Sequence, residues 1–86
     1  MLFTLPDGRI IDLECVSTVS SIRDYGSDPR SIDRHILGFS IYLKKKREVV
    51  EVLDTYHFND WAEARLRLKK TREEIVNRLP ETATAN

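Results

Sequence analysis

The chain has 86 residues, a length that fits one small domain with a small core. Its 14 basic and 14 acidic residues cancel, which argues against strong attraction of the whole molecule to nucleic acid or to an anionic membrane and favours self-association. The single cysteine, Cys15, excludes a disulfide framework within the chain and predicts a reducing compartment.

We expect a cytoplasmic protein that does not interact with membranes. The first residues, "MLFTLPDGRIIDLEC", lack the basic start and the long apolar run of a signal peptide. No stretch approaches the roughly 20 apolar residues that cross a bilayer as a helix.

The N-terminal residues predict a β-hairpin. "LFTL", residues 2–5, has the composition of a short strand, and "RIID", residues 9–12, has that of its return. Between them, Pro6 presets φ for the first central position of a turn, Asp7 tolerates the second, and Gly8 accepts positive φ.

The next segment, "LECVSTVSSIRDY", carries two conflicting signals. Its apolar residues recur every three positions, which is close to helical spacing, but its Val, Thr, Ser and Ile residues are poor helix formers and fit a strand. We therefore predict a break near residues 13–15 and a strand from about 16 to 25 that contains a bulge.

A polar segment then precedes the clearest strand. "GSDPRSIDR", residues 26–34, has Gly26, Pro29 and side chains that compete for backbone hydrogen bonds, which predicts a mobile loop. "HILGFSIYLK", residues 35–44, alternates as a strand does. Its two faces are Leu37, Phe39, Ile41 and Leu43 on one side, and Ile36, Gly38, Ser40 and Tyr42 on the other.

After four cations at residues 44–47, "EVVEVLDTY" predicts another strand. Alternation places Val50 and Val52 on one of its faces. The other face carries Val49, Glu51, Leu53 and Thr55.

Residues 57–81 predict a helix that is capped by Asn59 or Asp60 and ended by Pro80, with Asp60 and Glu63 spaced as a capping box. At about 100° per residue, one stripe is apolar. It contains Trp61, Ala64, Leu68, Ile75 and Leu79, with Thr71 among them. We predict a single domain over residues 1–80 and a disordered polar tail over residues 81–86.

Together these elements predict an α+β fold: a four- to five-stranded antiparallel meander with one C-terminal α-helix packed on one face. The pattern "LPDGRIIDLECVSTVSSI", followed by two alternating strands and an amphipathic helix, resembles small bacterial and phage-encoded proteins of this kind. They are similar in outline to pleckstrin-homology-like half-barrels. The resemblance implies the fold alone and brings no functional residues with it.

The sequence gives no sign of catalysis, and we expect no enzyme activity, no cofactor and no metal. Cys15, His35 and His57 do not have the spacing of a zinc site. The serines lack a nucleophile-elbow motif, and "YGSDP" lacks the spacing of a phosphate-binding loop.

The faces of the predicted sheet suggest an interaction surface. If the helix covers the face of Leu37 and Phe39, apolar side chains remain on the other face, and a monomer seldom leaves such a patch exposed. We therefore predict a homodimer, or a complex with another protein; the alternative is a bent sheet that buries both faces within one chain. The interface candidates are Ile36, Tyr42, Val49, Leu53 and Leu66.

The cations offer a second function, association with nucleic acid through phosphate contacts. Lysines at a hairpin turn also have a structural explanation, because they keep other strands from docking there. In favour of nucleic acid, residues 44–72 hold nine cations and five anions. The candidates are Lys44, Lys45, Lys46 and Arg47 in the turn, and Arg67 and Lys70 among the cations at 65–72.

Overall fold

A computed structural model of the chain describes residues 1–44, 48–57, 59–80 and 83–85. The predicted hairpin is confirmed: strand β1 (Leu2–Thr4) pairs antiparallel with strand β2 (Ile10–Asp12). In the turn, Leu5 O accepts a hydrogen bond from the N–H of Gly8 at 2.9 Å, and Gly8 has φ 95°, which glycine adopts without steric cost. A short 3-10 helix, Leu13–Cys15, follows at the predicted break.

The larger sheet is built around one long strand. Strand β5 (Ser31–Leu43) pairs antiparallel with β3 (Val16–Val19) and β4 (Arg23–Asp28), which lie end to end along one of its edges. Strand β6 (Val49–His57) pairs antiparallel with the other edge of β5. The predicted strand over 16–25 is thus two strands separated at residues 20–22. The antiparallel pairing of the consecutive strands β4, β5 and β6 is confirmed, and the β1–β2 hairpin forms a sheet of its own.

Ser20 lies at the junction between β3 and β4, and its hydrogen bonds keep the backbone of the sheet paired across this break. Its N–H donates to Ser40 O on β5 at 2.9 Å, as in a regular ladder. Its own carbonyl instead accepts from Arg72 Nε of the helix at 2.7 Å, and its Oγ accepts from the Ser40 N–H at 2.8 Å. The side chain therefore replaces a backbone acceptor, and the buried N–H stays paired.

Helix α1 (Trp61–Val76) and the N-terminal hairpin contribute to one core on one face of the sheet, which we call the inner face. Ala64, Leu68 and Ile75 of the predicted stripe are buried there, whereas Trp61 is 45% exposed. With antiparallel sheets and one helix, the fold is α+β as predicted. The buried apolar residues form one cluster. Its members are Phe3, Leu5, Ile11, Leu13, Val16, Val19, Leu37, Phe39, Ile41, Val52, Tyr56, Ala64, Leu68 and Ile75.

The predicted loop over residues 26–34 is wrong. β4 continues to Asp28, β5 begins at Ser31, and only Pro29 and Arg30 form the turn. The Asp28 carboxylate accepts a hydrogen bond from the N–H of Arg30 at 2.9 Å, so these residues form a tight turn instead of a loop. Polar composition was misleading here because both faces of this end of the hairpin are open to solvent.

The ends of the helix also differ from prediction. Asp60 is the N-cap residue, but its side chain makes no capping bond, so the predicted capping box with Glu63 is wrong. Asp60 has φ −106° and ψ 11°, away from the extended conformation that directs a cap side chain to the helix. The helix ends at Val76, before Pro80.

Beyond the helix, β7 (Thr84–Ala85) pairs in parallel with β3, where the sequence predicts a disordered tail over 81–86. Residues 81, 82 and 86 lie outside the described residues. The pairing extends the sheet beyond β3, on the side away from β5.

Replacing Ser20 with alanine tests the junction. Ser20→Ala leaves the Ser40 N–H buried without its acceptor, and we expect the free energy of unfolding to fall by about 1–3 kcal/mol. Ser21→Ala is the matched control, because Ser21 is exposed and its side chain makes no hydrogen bond to any described residue. Urea denaturation measures both; equal stability of the two variants would contradict the role given to the Ser20 hydroxyl.

Candidate functional site

The face of the sheet opposite the helix, which we call the outer face, holds most of the predicted interface residues. The antiparallel register pairs Tyr42 with Val49, Ser40 with Glu51, Gly38 with Leu53, and Ile36 with Thr55. Residues paired in this way point to the same side of a sheet. The outer face of β5 and β6 therefore consists of Ile36, Gly38, Ser40, Tyr42, Val49, Glu51, Leu53 and Thr55.

A carboxylate lies at the centre of this face. Ser40 Oγ donates to Glu51 Oε2 at 2.9 Å, and Tyr25 of β4 donates through its hydroxyl to the same oxygen at 3.1 Å. Tyr25 lies at the bulge between Asp24 and Gly26, where the register with β5 shifts. The two hydroxyls hold the Glu51 carboxylate in place, and Ser40 itself is buried.

Gly38 has no side chain because Leu53 occupies the space above it. A Cβ at Gly38 would come within 2.6 Å of Leu53 Cδ2 and of Val52 O, closer than any real contact allows. Leu53 therefore lies flat across β5, yet it is still 51% exposed. This leucine presents a broad apolar surface to solvent rather than an isolated methyl group.

The other predicted interface residues divide into two groups. Tyr42 and Val49 are exposed at one end of the outer face, and Ile36 is half-buried at the other end. Glu51 stands between the two groups, so the apolar surface is split by a charge. Leu66 is 67% exposed, but it lies on the helix, which packs on the inner face, and so the structure does not bring it together with the others.

Arg23 supplies a positive charge on the same face. It pairs with Gly38 across the β4–β5 ladder, and therefore shares the outer face with Glu51. Arg23 is exposed and has no hydrogen-bond or ion-pair partner among the described residues. The two residues flank β5 from β4 and β6 and are offset by two positions along the strands. Two strand spacings and two residue rises separate their Cα atoms by roughly 12 Å.

Of the predicted nucleic-acid residues, the structure describes Lys44, Arg67 and Lys70. Lys44 is exposed at the end of β5, whereas Lys45, Lys46 and Arg47 lie outside the described residues. Arg67 Nε donates to Asp54 Oδ2 at 2.9 Å, so this arginine is paired with a carboxylate of β6. Lys70 lies with Arg67 along a cleft between the helix, β6 and the hairpin turn.

A further polar cluster lies on β4, β5 and β6. The Tyr56 hydroxyl donates to Asp24 Oδ2 at 2.8 Å, and the Tyr56 ring stacks on His35 with centroids 5.5 Å apart. Hydrogen bonds from the Gly26 N–H and from Tyr56 hold the pKa of the Asp24 carboxyl below its ordinary value. Burial, reinforced by Asp24, raises the pKa of Tyr56.

The sequence did not single out Arg23, Tyr25 or Glu51 as site residues. Alternation with Val49 and Leu53 was enough to place Glu51 on this face. The positions of Arg23 and Tyr25 depend on the register between β4 and β5. A bulge changes that register, and no local sequence pattern shows where the bulge lies.

Several kinds of site find no support among the described residues. No three histidine, cysteine, aspartate or glutamate side chains come together there as ligands for a metal ion. No helix in the described ranges has both the length and the apolar character to cross a bilayer. Comparison of the chain with protein-family models, curated proteins and solved structures finds no match in any of the three.

The lowered pKa of Asp24 predicts a contribution to stability that depends on pH. A carboxyl whose pKa is lower in the folded state stabilises the protein above its unfolded pKa, and this contribution is lost as pH falls through the folded pKa. We expect Tyr56→Phe to raise the Asp24 pKa and to reduce the stability lost between pH 6 and pH 3. Carbon-detected NMR titration of Asp24 measures the pKa, and urea denaturation at both pH values measures the stability.

Tyr42→Phe is the control for this prediction, since Tyr42 lies on the outer face and makes no hydrogen bond to any described residue. An Asp24 pKa that is the same in wild type and Tyr56→Phe would show that the hydroxyl has no influence on the carboxyl.

Proposed function

We propose that the protein is a non-catalytic, cytoplasmic interaction module that forms a homodimer through its outer face. The observation that carries this proposal is that exposed Leu53 and Val49 share the face with Glu51 and Arg23, a negative and a positive charge. The lone thiol of Cys15 supports the cytoplasmic location, because secreted domains of this size commonly rely on disulfides.

The two charges suit a second copy of the same chain. A two-fold axis between Arg23 and Glu51 sets the arginine of each copy opposite the glutamate of the other, and one patch then complements itself. The arrangement also gives the Glu51 carboxylate, which lies between apolar side chains, an opposite charge when the interface is buried. A buried charge needs a partner, and the second copy provides it.

The outer face is small for a protein–protein interface. Three strands about 4.8 Å apart, with a rise of about 3.3 Å per residue over the length of β6, cover an area of roughly 400 Å² in projection. Stable interfaces bury about 800 Å² on each partner. We therefore expect a weak dimer with a dissociation constant of about 1–100 μM.

Reversal of the two charges tests the dimer. We expect Arg23→Glu and Glu51→Arg each to weaken self-association by about tenfold or more, because each places like charges opposite one another. The double variant restores opposite charges and recovers the affinity to within about threefold. Sedimentation velocity from about 5 μM to about 500 μM measures the association.

Lys69→Glu is the matched control, since it changes the same amount of charge on the helix and lies beside the β3–β4 junction, away from the outer face. Circular dichroism checks that each variant folds; if Glu51→Arg does not, Arg23→Glu and Leu53→Asn carry the test. A chain that stays monomeric at every concentration, or that binds only a different protein at this face, overturns the homodimer.

The alternative function, association with nucleic acid, gives a different result. Phosphate contacts by Lys44, Lys45, Lys46 and Arg47 would give binding to mixed DNA or RNA that weakens steeply as salt rises. Under the dimer proposal we expect no such binding at moderate salt, because the net charge is zero. Fluorescence anisotropy at two salt concentrations distinguishes the two functions.

If salt-sensitive binding is found, a triple variant of Lys44, Lys45 and Lys46 to glutamate locates it. Loss of binding with an unchanged fold then supports the nucleic-acid function over the dimer. Binding that survives the triple change places the contacts elsewhere on the protein.

A further inference from the structure

A second cleft lies where helix α1 passes the junction between β3 and β4. It has a volume of ≈ 220 Å³ and is separate from the outer face. Ser21 and Ile22 of the junction line one side. The helix lines the other side with Arg65, Lys69, Arg72 and Glu73.

The helix places three cations around this cleft. Residues 65, 69 and 72 are spaced by four and three positions, which puts them along one side of a helix. Like charges at this spacing repel one another by a few tenths of a kcal/mol. Among the described residues that line the cleft, Glu73 is the one anion beside these three cations, so the lining carries more positive than negative charge.

The cations are partly fixed before any ligand arrives. Arg72 is half-buried, and its Nε donates to Ser20 O at 2.7 Å. The Arg65 guanidinium lies 5.8 Å from the centre of the Trp61 ring. Because these two side chains are already held in place, less conformational entropy is lost when a ligand binds to them. Lys69 is exposed and has no partner among the described residues, so its ammonium group can move to the ligand.

We propose that this cleft binds the phosphate group of a small phosphomonoester. A phosphomonoester carries about −1.5 to −2 charges near pH 7, which is opposite in sign to the cations that line the cleft. Arginine supplies forked N–H donors that suit phosphate oxygens, and lysine adds a mobile charge. The volume exceeds the roughly 30 Å³ of one water several times, which leaves room for the phosphate and part of the group that it esterifies.

A nucleic-acid strand fits the same charges less well. Its successive phosphates would need further cations in line with the cleft, but Arg67 and Lys70 line the other cleft, beside β6 and the hairpin turn. Single-stranded bases also stack on aromatic side chains, and none is among the described residues that line this cleft. The nearby Trp61 ring contacts the Arg65 guanidinium.

Titration with phenyl phosphate tests the proposal, with inorganic phosphate as a second probe and sodium chloride at the same ionic strength as the reference. We expect saturable changes in the amide NMR signals of Ser21, Ile22 and Lys69. Binding should strengthen between pH 5.5 and pH 7.5, because the second phosphate ionisation has a pKa of about 6.

Three variants on the helix locate the site. Lys69→Gln removes one charge-assisted contact, and we expect binding to weaken about tenfold. Glu73→Gln removes the competing negative charge, and we expect binding to strengthen by about threefold or more. Lys70→Gln is the matched control: it is the next residue, it carries the same charge, and it lines the other cleft, so binding stays as in wild type.

Signal changes that do not saturate, or that chloride reproduces, overturn the proposal. Equal weakening by Lys69→Gln and Lys70→Gln also overturns it, because the attraction is then general rather than sited in the cleft. Response to a single-stranded oligonucleotide without response to phenyl phosphate overturns it in favour of nucleic acid. These outcomes are independent of the homodimer, whose face shares none of the residues in this cleft.

Discussion

The strict alternation of side chains along β5 is the constraint on which the structure depends. Leu37, Phe39 and Ile41 enter the core, while Gly38 and Ser40 lie against Leu53 and Glu51 on the opposite face. Because β5 is paired along both edges, a shift of one residue would exchange the two faces and bury the wrong set. The helix and the hairpin have only one apolar face to cover. The other face is left as a mixed surface with a fixed carboxylate at its centre.

The junction at Ser20 connects the sheet to the helix. A continuous strand would have used the Ser20 carbonyl in the ladder with β5, and Arg72 would then have had to share that carbonyl with the ladder. The serine hydroxyl takes over the bond to the Ser40 N–H and releases the carbonyl to the arginine. The same junction lines one side of the cleft whose other side carries the cations of the helix. The interruption therefore serves both the packing of the helix and the proposed phosphate site.

Local patterns were sufficient to predict much of this fold. The turn at Gly8, the alternation of β5 and the buried stripe of the helix follow from chemistry within a few residues of chain. Long-range register was not predictable, and it is register that brings Arg23, Tyr25 and Glu51 to one face. The tight turn at Pro29 was also missed, because polar side chains on a solvated hairpin resemble those of a loop. The interface candidates from alternation, such as Leu53, did fall on the uncovered face, and alternation also placed Glu51 among them. The position of Glu51 opposite Ser40 emerged only from the pairing of β6 with β5.

The central claim is that a second copy of the chain covers the outer face. The most direct test is an isotope-filtered NOE experiment on an equal mixture of labelled and unlabelled protein at high concentration. We expect intermolecular NOEs from the methyl groups of Leu53 and Val49 to the outer face of the second molecule, with none from Leu66 on the helix. The absence of any intermolecular NOE, or NOEs confined to the helix, would contradict the claim.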